Sequence, residues 1–244
     1  MKKSGLLTLC AALLFILLVS PAYAQRETRY LQGIVIEDFD NPGESRWTVT
    51  GSKFITAEYP KYAWVRAWPD ALYRREPEGR ELRSLGVEAK FDRLGYNYLE
   101  FMPLVEDEDG ELVPGGIPLP GQVQEIDMWV WGSNYDYYIE VHLEDFRGIT
   151  HVLPLGNINY RGWRNLSTRV PTHIPQTVRF VPQHKGLELV KIVLWTRPTE
   201  RVDGFYVYLD EIKILTDTFR DRFDGEDLGD PEMLEEIWAE ATGR

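Results

Sequence analysis

The chain is almost devoid of cysteine, since Cys10 is the only one among 244 residues. Cys10 lies in an apolar N-terminal run that we expect to be removed on export, so the mature protein would contain no thiol. That excludes disulfide crosslinks, thiol nucleophiles and cysteine-ligated metals from the mature chain. A chain of this length can bury a stabilising core without such crosslinks.

Long hydrophobic runs are also scarce, and the main one lies at the N-terminus. Two lysines precede an apolar stretch over residues 6–19, and the small residues Ala22 and Ala24 stand third and first before the bond that follows Ala24. This three-part arrangement predicts a cleaved secretory signal peptide over residues 1–24. The apolar stretch is too short for a membrane span, which needs ~20 residues.

A lipoprotein signal is the other alternative, because Leu9 is followed by Cys10. Leu9 is too bulky for the cut site, and few apolar residues precede it. We therefore expect export of a cleaved, soluble protein without a membrane anchor.

Basic residues are in deficit: 27 Lys and Arg face 39 Asp and Glu, which gives a net charge of −12. Nucleic acids and anionic lipid surfaces bind proteins through basic patches, so this charge excludes both as partners. Solubility, a basic partner and divalent cations are all compatible with it.

Catalytic motifs are missing as well. The four histidines form neither an H-x-x-x-H nor an H-E-x-x-H arrangement, and no G-x-S-x-G elbow, phosphate loop or dinucleotide fingerprint occurs. Carboxylates are so numerous that some pair suited to glycoside hydrolysis is always available, so their presence indicates nothing. The sequence therefore predicts a protein that is not an enzyme, with no catalytic residue and no cofactor.

Two acidic turns, 107–110 and 224–227, gather oxygen ligands beside a glycine. Neither has the regularly spaced ligands and distal glutamate of an EF-hand loop. Solvated turns are the favoured interpretation, so no metal ligand is predicted, and a structural calcium ion stays an unsupported alternative.

Short β-strands separated by turn residues account for most of the chain. The predicted strands are 34–36, 62–68, 85–91, 97–102, 123–131, 136–144, 149–153, 177–180, 187–196 and 205–215. Residues 103–122 are rich in proline and glycine and are predicted to form a loop. Because no helical pattern intervenes, the sequence predicts an all-β sandwich or barrel.

Period-two alternation in the strand at 123–131 separates two faces. Ile126, Met128 and Val130 share the face that we expect to be buried. The other face mixes carboxylates with tryptophans, which is typical of a partly solvated surface: Glu125, Asp127, Trp129 and Trp131.

Aromatic residues are dense around this strand. Exposed rings of this kind stack on sugars or anchor protein interfaces, and core packing is the alternative for each of them. The candidates for a protein or glycan interface are Trp129, Trp131, Tyr135, Tyr138 and Trp163.

The alternation changes phase in the last predicted strand. Apolar residues at 205–209 occupy odd positions, whereas Ile212 and Ile214 occupy even ones. One face stays buried through such a change only if an extra residue is inserted, so we predict a β-bulge at 210–211.

The C-terminal segment begins with an acidic linker. Asp230 and Pro231 then have the pattern of an N-cap followed by proline at the first helical position. Leu234, Ile237 and Trp238 follow at helical spacing and form one apolar stripe. We predict a short amphipathic helix whose stripe either docks on a partner, as a further interface candidate, or folds back on the sandwich.

Segments at opposite ends of the predicted domain resemble jelly-roll modules of the carbohydrate-binding, galactose-binding-like type. They are residues 37–40, with Trp47 shortly after, and residues 208–214. The first and last strands of such modules pair. The resemblance therefore implies a jelly-roll β-sandwich, which we expect over 25–217, and the acidic linker with its short amphipathic helix makes up a tail over 218–244.

Longer runs resemble the flagellar filament outer-layer, or sheath, proteins of spirochaetes. The most specific runs are 116–121, 126–135, 138–143, 145–148, 151–156 and 159–163. The resemblance implies a non-enzymatic structural subunit, exported to the periplasm, that coats the flagellin core of the periplasmic flagellum and affects filament stiffness, shape and motility. Its implied partners are the core flagellin filament and other sheath subunits, with copies of itself as one option.

A second hypothesis comes from a different class of protein. Aromatic residues on a partly solvated strand face, together with the jelly-roll signature, are also typical of a secreted or periplasmic carbohydrate-binding module. The two hypotheses differ in the partner, and they overlap if a sheath subunit recognises glycans on flagellin.

Overall fold

The computed structural model describes four stretches of the chain. They are residues 29–176, 178–180, 183–218 and 238–239, with the side chains of 178–180 and 183–185 excepted. The predicted signal peptide over 1–24 lies outside the described residues, as does most of the predicted tail. No helix within the described stretches has the length and apolar character needed to cross a membrane.

Antiparallel strands make up the domain. The first five are β1 (Leu31–Glu37), β2 (Trp47–Gly51), β3 (Lys61–Val65), β4 (Ser84–Ala89) and β5 (Tyr98–Glu106). The next five are β6 (Leu112–Pro114), β7 (Ile117–Leu119), β8 (Gln122–Ser133), β9 (Tyr138–Glu144) and β10 (Thr150–Asn157). The last five are β11 (Arg161–Arg169), β12 (Val178–Phe180), β13 (Gln183–Lys185), β14 (Leu187–Trp195) and β15 (Phe205–Asp217).

Two sheets form the sandwich. Sheet A has the order β11-β8-β15-β4-β3, and β1 pairs with the second half of β15. Sheet B has the order β10-β9-β14-β5-β2, and β6 and β7 extend it by pairing with β5 and β14. The first and last strands of the domain therefore pair, as in a jelly roll, and the predicted all-β jelly-roll sandwich is confirmed.

The core lies between the sheets and is built from alternate residues of each strand. Ile126, Met128 and Val130 of β8 in sheet A are at most 1% exposed, and Ile139 and Leu143 of β9 in sheet B are equally buried. Burial of each such side chain stabilises the fold by about 1.5–3 kcal/mol. The predicted buried face of β8 is confirmed, so its carboxylates and tryptophans point away from the core.

The predicted β-bulge lies in β15. The register of β15 with β8 shifts between Asp210 and Lys213, and Glu211 has a φ of 45°. The insertion lets Leu209 before it and Ile212 after it both face the core, where they are 0% and 1% exposed. This prediction is confirmed.

The prediction of a loop over 103–122 is wrong for much of the segment. β5 continues through Pro103 to its end at Glu106, and both β6 and β7 lie in this segment. Pro118 of β7 pairs with Glu188 of β14 in a three-residue ladder. Proline is tolerated where its missing N–H needs no ladder partner, so its presence did not prevent these short strands.

Two edge strands, β2 and β11, are not predicted by the sequence pattern. β11 has polar residues on both faces, since it carries Arg161, Arg164, Asn165 and Arg169. Alternation is weak in such a strand because neither face lies deep in the core. β11 nevertheless pairs along its whole length with β8, from Arg161 opposite Ser133 onward.

Candidate interaction surfaces

The predicted interface residues do not share one surface. Trp129 and Trp131 of β8 and Trp163 of β11 lie on the outer face of sheet A. Tyr138 of β9 lies on the outer face of sheet B, on the opposite side of the sandwich. Leu234 and Ile237 are outside the described residues, and the helical Trp238 is 64% exposed.

Tyr135 belongs to the core. It is 4% exposed, its ring packs against Tyr137 and Phe205, and its hydroxyl donates to the backbone oxygens of Asp203 and Gly204 at 2.8 and 3.2 Å. The hydroxyl finds its partners inside the fold, so this side chain does not reach an interaction surface. The interface prediction for Tyr135 is therefore corrected.

Row A is the aromatic row on the outer face of sheet A, formed by Trp163, Trp131 and Tyr208. Strand pairing aligns the three residues, because Trp131 of β8 lies opposite Trp163 of β11 on one side and opposite Tyr208 of β15 on the other. The Trp131 and Tyr208 rings have centroids 5.3 Å apart and meet at 86°, and the Trp163 and Tyr208 centroids are 6.3 Å apart at 52°. All three rings are partly exposed, so row A presents aromatic surface to solvent.

Polar groups border row A on the same face. Nδ2 of Asn165 donates to Oδ1 of Asp127 at 2.6 Å, and Nζ of Lys213 lies 3.6 Å from that oxygen. Trp129 lies in register between Asn165 and Asp210, and its Nε1 is buried with no hydrogen-bond acceptor among the described residues. A buried donor without an acceptor costs about 1–3 kcal/mol. This face therefore combines aromatic rings with an amide, a carboxylate, an ammonium group and one unused donor.

Row B is the aromatic row on the outer face of sheet B, formed by Tyr138, Trp195 and Tyr98. Trp195 lies in register with both tyrosines, and its ring centroid is 6.4 Å from that of Tyr138 and 5.0 Å from that of Tyr98. Nε1 of Trp195 donates to Oε2 of Glu140 at 2.8 Å, and the Arg197 guanidinium lies 5.0 Å from the centre of the Tyr138 ring. The donor and one ring face of row B are therefore used within the chain.

Charged groups continue the face that row B begins. Lys191 forms an ion pair with Glu100, and Nε2 of His142 lies 3.7 Å from Oε2 of Glu140. Burial and the Lys191 ammonium lower the pKa of His142, so the imidazole is neutral at neutral pH. The ring of His142 is largely buried, since 13% of its side chain is exposed.

An acidic cluster lies beside the bulge of β15. The guanidinium of Arg80 donates to Asp40 at 2.6 Å and to Asp38 at 3.0 Å, which supplies a countercharge. Burial, together with the nearby carboxylates of Asp40, Glu211 and Asp38, raises the pKa of Asp210 to about 8. Within the four described stretches, no three or more His, Cys, Asp or Glu side chains are arranged to hold a metal ion.

The acidic turn at 107–110 has a structural use. Oδ1 of Asp107 accepts the backbone N–H groups of Asp109 and Glu111 at 3.0 and 2.8 Å and so closes the turn between β5 and β6. The second acidic turn, 224–227, lies outside the described residues.

Three of the six rings in the two rows were not candidates on sequence grounds: Tyr208, Trp195 and Tyr98. Each lies in a predicted strand at a position that alternates with buried neighbours, so period-two alternation could have marked it as outward-facing. The alternation does not reveal which strands are neighbours, and the rows depend on that.

The class of protein follows from these features: it is a two-sheet antiparallel β-sandwich with an aromatic row on each outer face. The model of the family described as flagellar filament outer layer protein FlaA matches residues 29–222, and the chain belongs to this family. The resemblance to flagellar filament outer-layer proteins is thereby confirmed.

Individual proteins are similar to the chain at lower levels of identity. A flagellar filament outer layer-like protein of Brachyspira hyodysenteriae is 23% identical over 210 residues, covering 77% of this chain and 90% of that protein. The solved structure of TmCBM61 with β-1,4-galactotriose has a TM-score of 0.39 and 14% identity, covering 74% of this chain and 97% of that one. The family 11 carbohydrate-binding module of a Clostridium thermocellum cellulosomal cellulase has a TM-score of 0.41 and 8% identity, covering 78% and 96%.

Proposed function

We propose that the protein is a non-enzymatic structural subunit of the outer layer of the periplasmic flagellar filament, which it binds through row A. Family membership supports the association with a filament. The observation that favours row A is that row B is partly used within the chain: the Nε1 donor of Trp195 is satisfied by Glu140, and the Arg197 guanidinium lies 5.0 Å from the centre of the Tyr138 ring.

The composition of row A suits a protein interface. Trp and Tyr dominate the residues whose truncation costs most at interfaces, because they bury large rigid rings and offer one polar atom. Asn165, Asp127 and Lys213 would provide the polar rim around them. Binding of many such subunits would stiffen the flagellin core. It would thereby affect the shape of the filament and the motility of the cell.

Association with the filament is tested by isolating periplasmic flagella from cells that carry wild-type or variant protein. Trp131→Ala and Trp163→Ala are expected to reduce co-purification at least tenfold, and Trp195→Ala in row B is the matched control that keeps it. Circular dichroism of each purified variant checks that the fold is retained. Absence of the wild-type protein from filaments would overturn the proposal, and normal co-purification of a folded Trp131 variant would overturn the assignment to row A.

The periplasmic location rests on the predicted signal peptide over 1–24. We expect the mature protein to begin at Gln25 and to fractionate with the periplasm. N-terminal sequencing of the protein from cells decides this, because an uncleaved N-terminus would contradict it.

A carbohydrate-binding module is the second candidate function. It is favoured by the hydrogen-bonded pair of Asn165 and Asp127 next to row A, since planar polar side chains beside aromatic rings suit the hydroxyl groups and faces of a sugar. Binding to immobilised glycans that is lost in Trp131→Ala would promote this function over the first. Absence of binding across a broad glycan panel would contradict the carbohydrate-binding function.

A further inference from the structure

β1 forms an edge of sheet A, and its residues 31–35 lack the usual protection of an edge strand. It pairs with β15 on one side, and its other side has no backbone partner among the described residues. From Leu31 to Ile36 it contains no charged residue and no proline. Exposed strand edges of this kind pair readily with another chain.

An apolar patch accompanies the free edge. Leu31 and Val35 are 48% and 46% exposed, and Leu215 of β15, which is 38% exposed, lies between them because it pairs with Gly33. A Cβ at Gly33 would meet nothing within 4 Å, so the space above the glycine is open. Tyr30, just before the strand, is 59% exposed.

The other edges of the two sheets are protected. β11 carries Arg161, Arg164 and Arg169, β10 contains Pro154, and β3 begins with Lys61. β2 is only five residues long. Charged residues, proline and short length are the devices that keep edge strands from pairing. β1 is seven residues long and has its charged residue, Glu37, and a β-bulge between Val35 and Glu37 only at its end, so its residues 31–35 contain no charge, proline or bulge.

We infer that β1 pairs antiparallel with β1 of a second copy of this chain, which would join two copies of sheet A into one continuous sheet. Pairing about Gly33 would place Leu31 opposite Val35 of the partner subunit, so apolar side chains meet and no like charges do. In a chain with a net charge of −12, an uncharged edge is where two copies approach with least repulsion. The same pairing would satisfy the outward N–H and C=O groups of both edges.

The residues after Thr218 are the competing occupant of this edge. The backbone N–H of Thr218 donates to the oxygen of Tyr30 at 3.0 Å, so the chain leaves β15 next to the start of β1. The inference concerns the edge itself and does not rest on the proposed function. Self-association with no binding to filaments would leave the inference standing while the proposed function failed.

Sedimentation of the full mature chain over a range of concentrations tests the pairing. We expect reversible dimers whose dissociation constant rises at least tenfold in Gly33→Lys, which brings two ammonium groups together, and in Val35→Lys. Val152→Lys is the matched control, because Val152 is a valine on edge strand β10 with 49% exposure. A wild-type monomer at all concentrations, or dimers unaffected by both β1 variants, would overturn the inference.

Hydrogen exchange distinguishes strand pairing from other contacts. The amides of β1 are expected to exchange at least tenfold faster on dilution into the monomer range, whereas those of β8 stay protected. Protection of β1 that is independent of concentration and is lost on truncation after Thr218 would show that the chain's own C-terminal residues cover the edge, and would overturn the pairing.

Discussion

The ring of Tyr208 occupies the space directly above Gly86 on the neighbouring strand. A Cβ added at Gly86 would lie 2.8 Å from both Cδ1 and Cε1 of that ring and 3.1 Å from Cγ2 of Val65. Tyr208 and Gly86 are in register between β15 and β4. A glycine on β4 therefore fixes where the last ring of row A can lie.

Gly86→Ala is expected to displace the Tyr208 ring and to lower the free energy of unfolding by about 1–3 kcal/mol, the usual cost of overpacking. Urea denaturation measures this, and near-ultraviolet circular dichroism reports the changed contact between Tyr208 and Trp131. Gly33→Ala is the control, because its Cβ would meet nothing within 4 Å. Equal stability of the two variants would contradict the role assigned to Gly86.

Tyr137 anchors the connection between β14 and β15. The side chain is fully buried, and its hydroxyl donates to the backbone oxygen of Arg201 at 2.6 Å. Tyr137→Phe removes the donor and leaves that oxygen without it, so we expect a loss of about 1–2 kcal/mol in unfolding free energy. The hydroxyl of Tyr206 donates to Glu88 at an exposed site, so Tyr206→Phe is expected to cost less than about 0.5 kcal/mol. The reverse order in urea denaturation would show that the buried bond is not the stronger.

Asp210 is expected to make the protein less stable as the pH rises. Its pKa is raised from 3.8 to about 8 by burial and by neighbouring carboxylates, so the folded state holds a proton that the unfolded state releases. Stability contributed by this proton is complete below pH 3.8 and is lost as the pH rises to about 8, by at most about 1.4 kcal/mol per pH unit. Asp210→Asn removes this dependence, since the amide stays neutral throughout.

Thermal unfolding between pH 5.5 and 8.5 measures the effect of Asp210. The melting temperature of the wild type should fall more steeply across this range than that of Asp210→Asn, and the exposed Asp109→Asn should follow the wild type. Parallel curves for all three proteins would show that Asp210 ionises normally.

Asp145 has the opposite dependence. Burial would raise its pKa, but hydrogen bonds from the His151 ring and from the backbone N–H groups of Arg147 and Ile149 outweigh burial and lower it. The stability that it contributes is therefore present at neutral pH and is lost as the pH falls below 3.8 through the lowered folded-state pKa.

Asp145→Asn is accordingly expected to lower the unfolding free energy by about 1–2 kcal/mol at pH 7, because a charged acceptor is lost, and to have a smaller effect near pH 3. Urea denaturation at the two pH values measures both effects. An equal loss at pH 7 and pH 3 would mean that the carboxylate charge of Asp145 does not contribute.

Local pattern was sufficient for parts of the fold. The buried face of β8 and the bulge of β15 follow from period-two alternation, which compares only residues close in sequence. It failed for β11, whose residues are polar on both faces, and for 103–122, where prolines lie within short strands. In those segments pairing with β8 and β14, not the intrinsic pattern, decides the structure.

Local sequence pattern was not sufficient to predict the candidate surface. The sequence alone marked Trp131 and Trp163 as candidates, but it could not exclude Tyr135, which the fold turns into the core. Tyr208 completes row A only because β15 lies next to β8. Strand neighbours are set by packing between segments far apart in sequence, so no local pattern contains them.

The sequence by itself determined a domain that needs no thiol for its stability, its acidic charge, its β-strand composition and its resemblance to flagellar outer-layer proteins, because composition, alternation and motif runs can all be read from neighbouring residues. The tertiary structure alone decided that the aromatic residues form two rows on opposite faces and that the uncharged residues 31–35 of β1 lie at an edge of sheet A. The physical reason is that each side chain's direction is set locally by the strand, whereas its neighbours are set by which strands pair across the sheet.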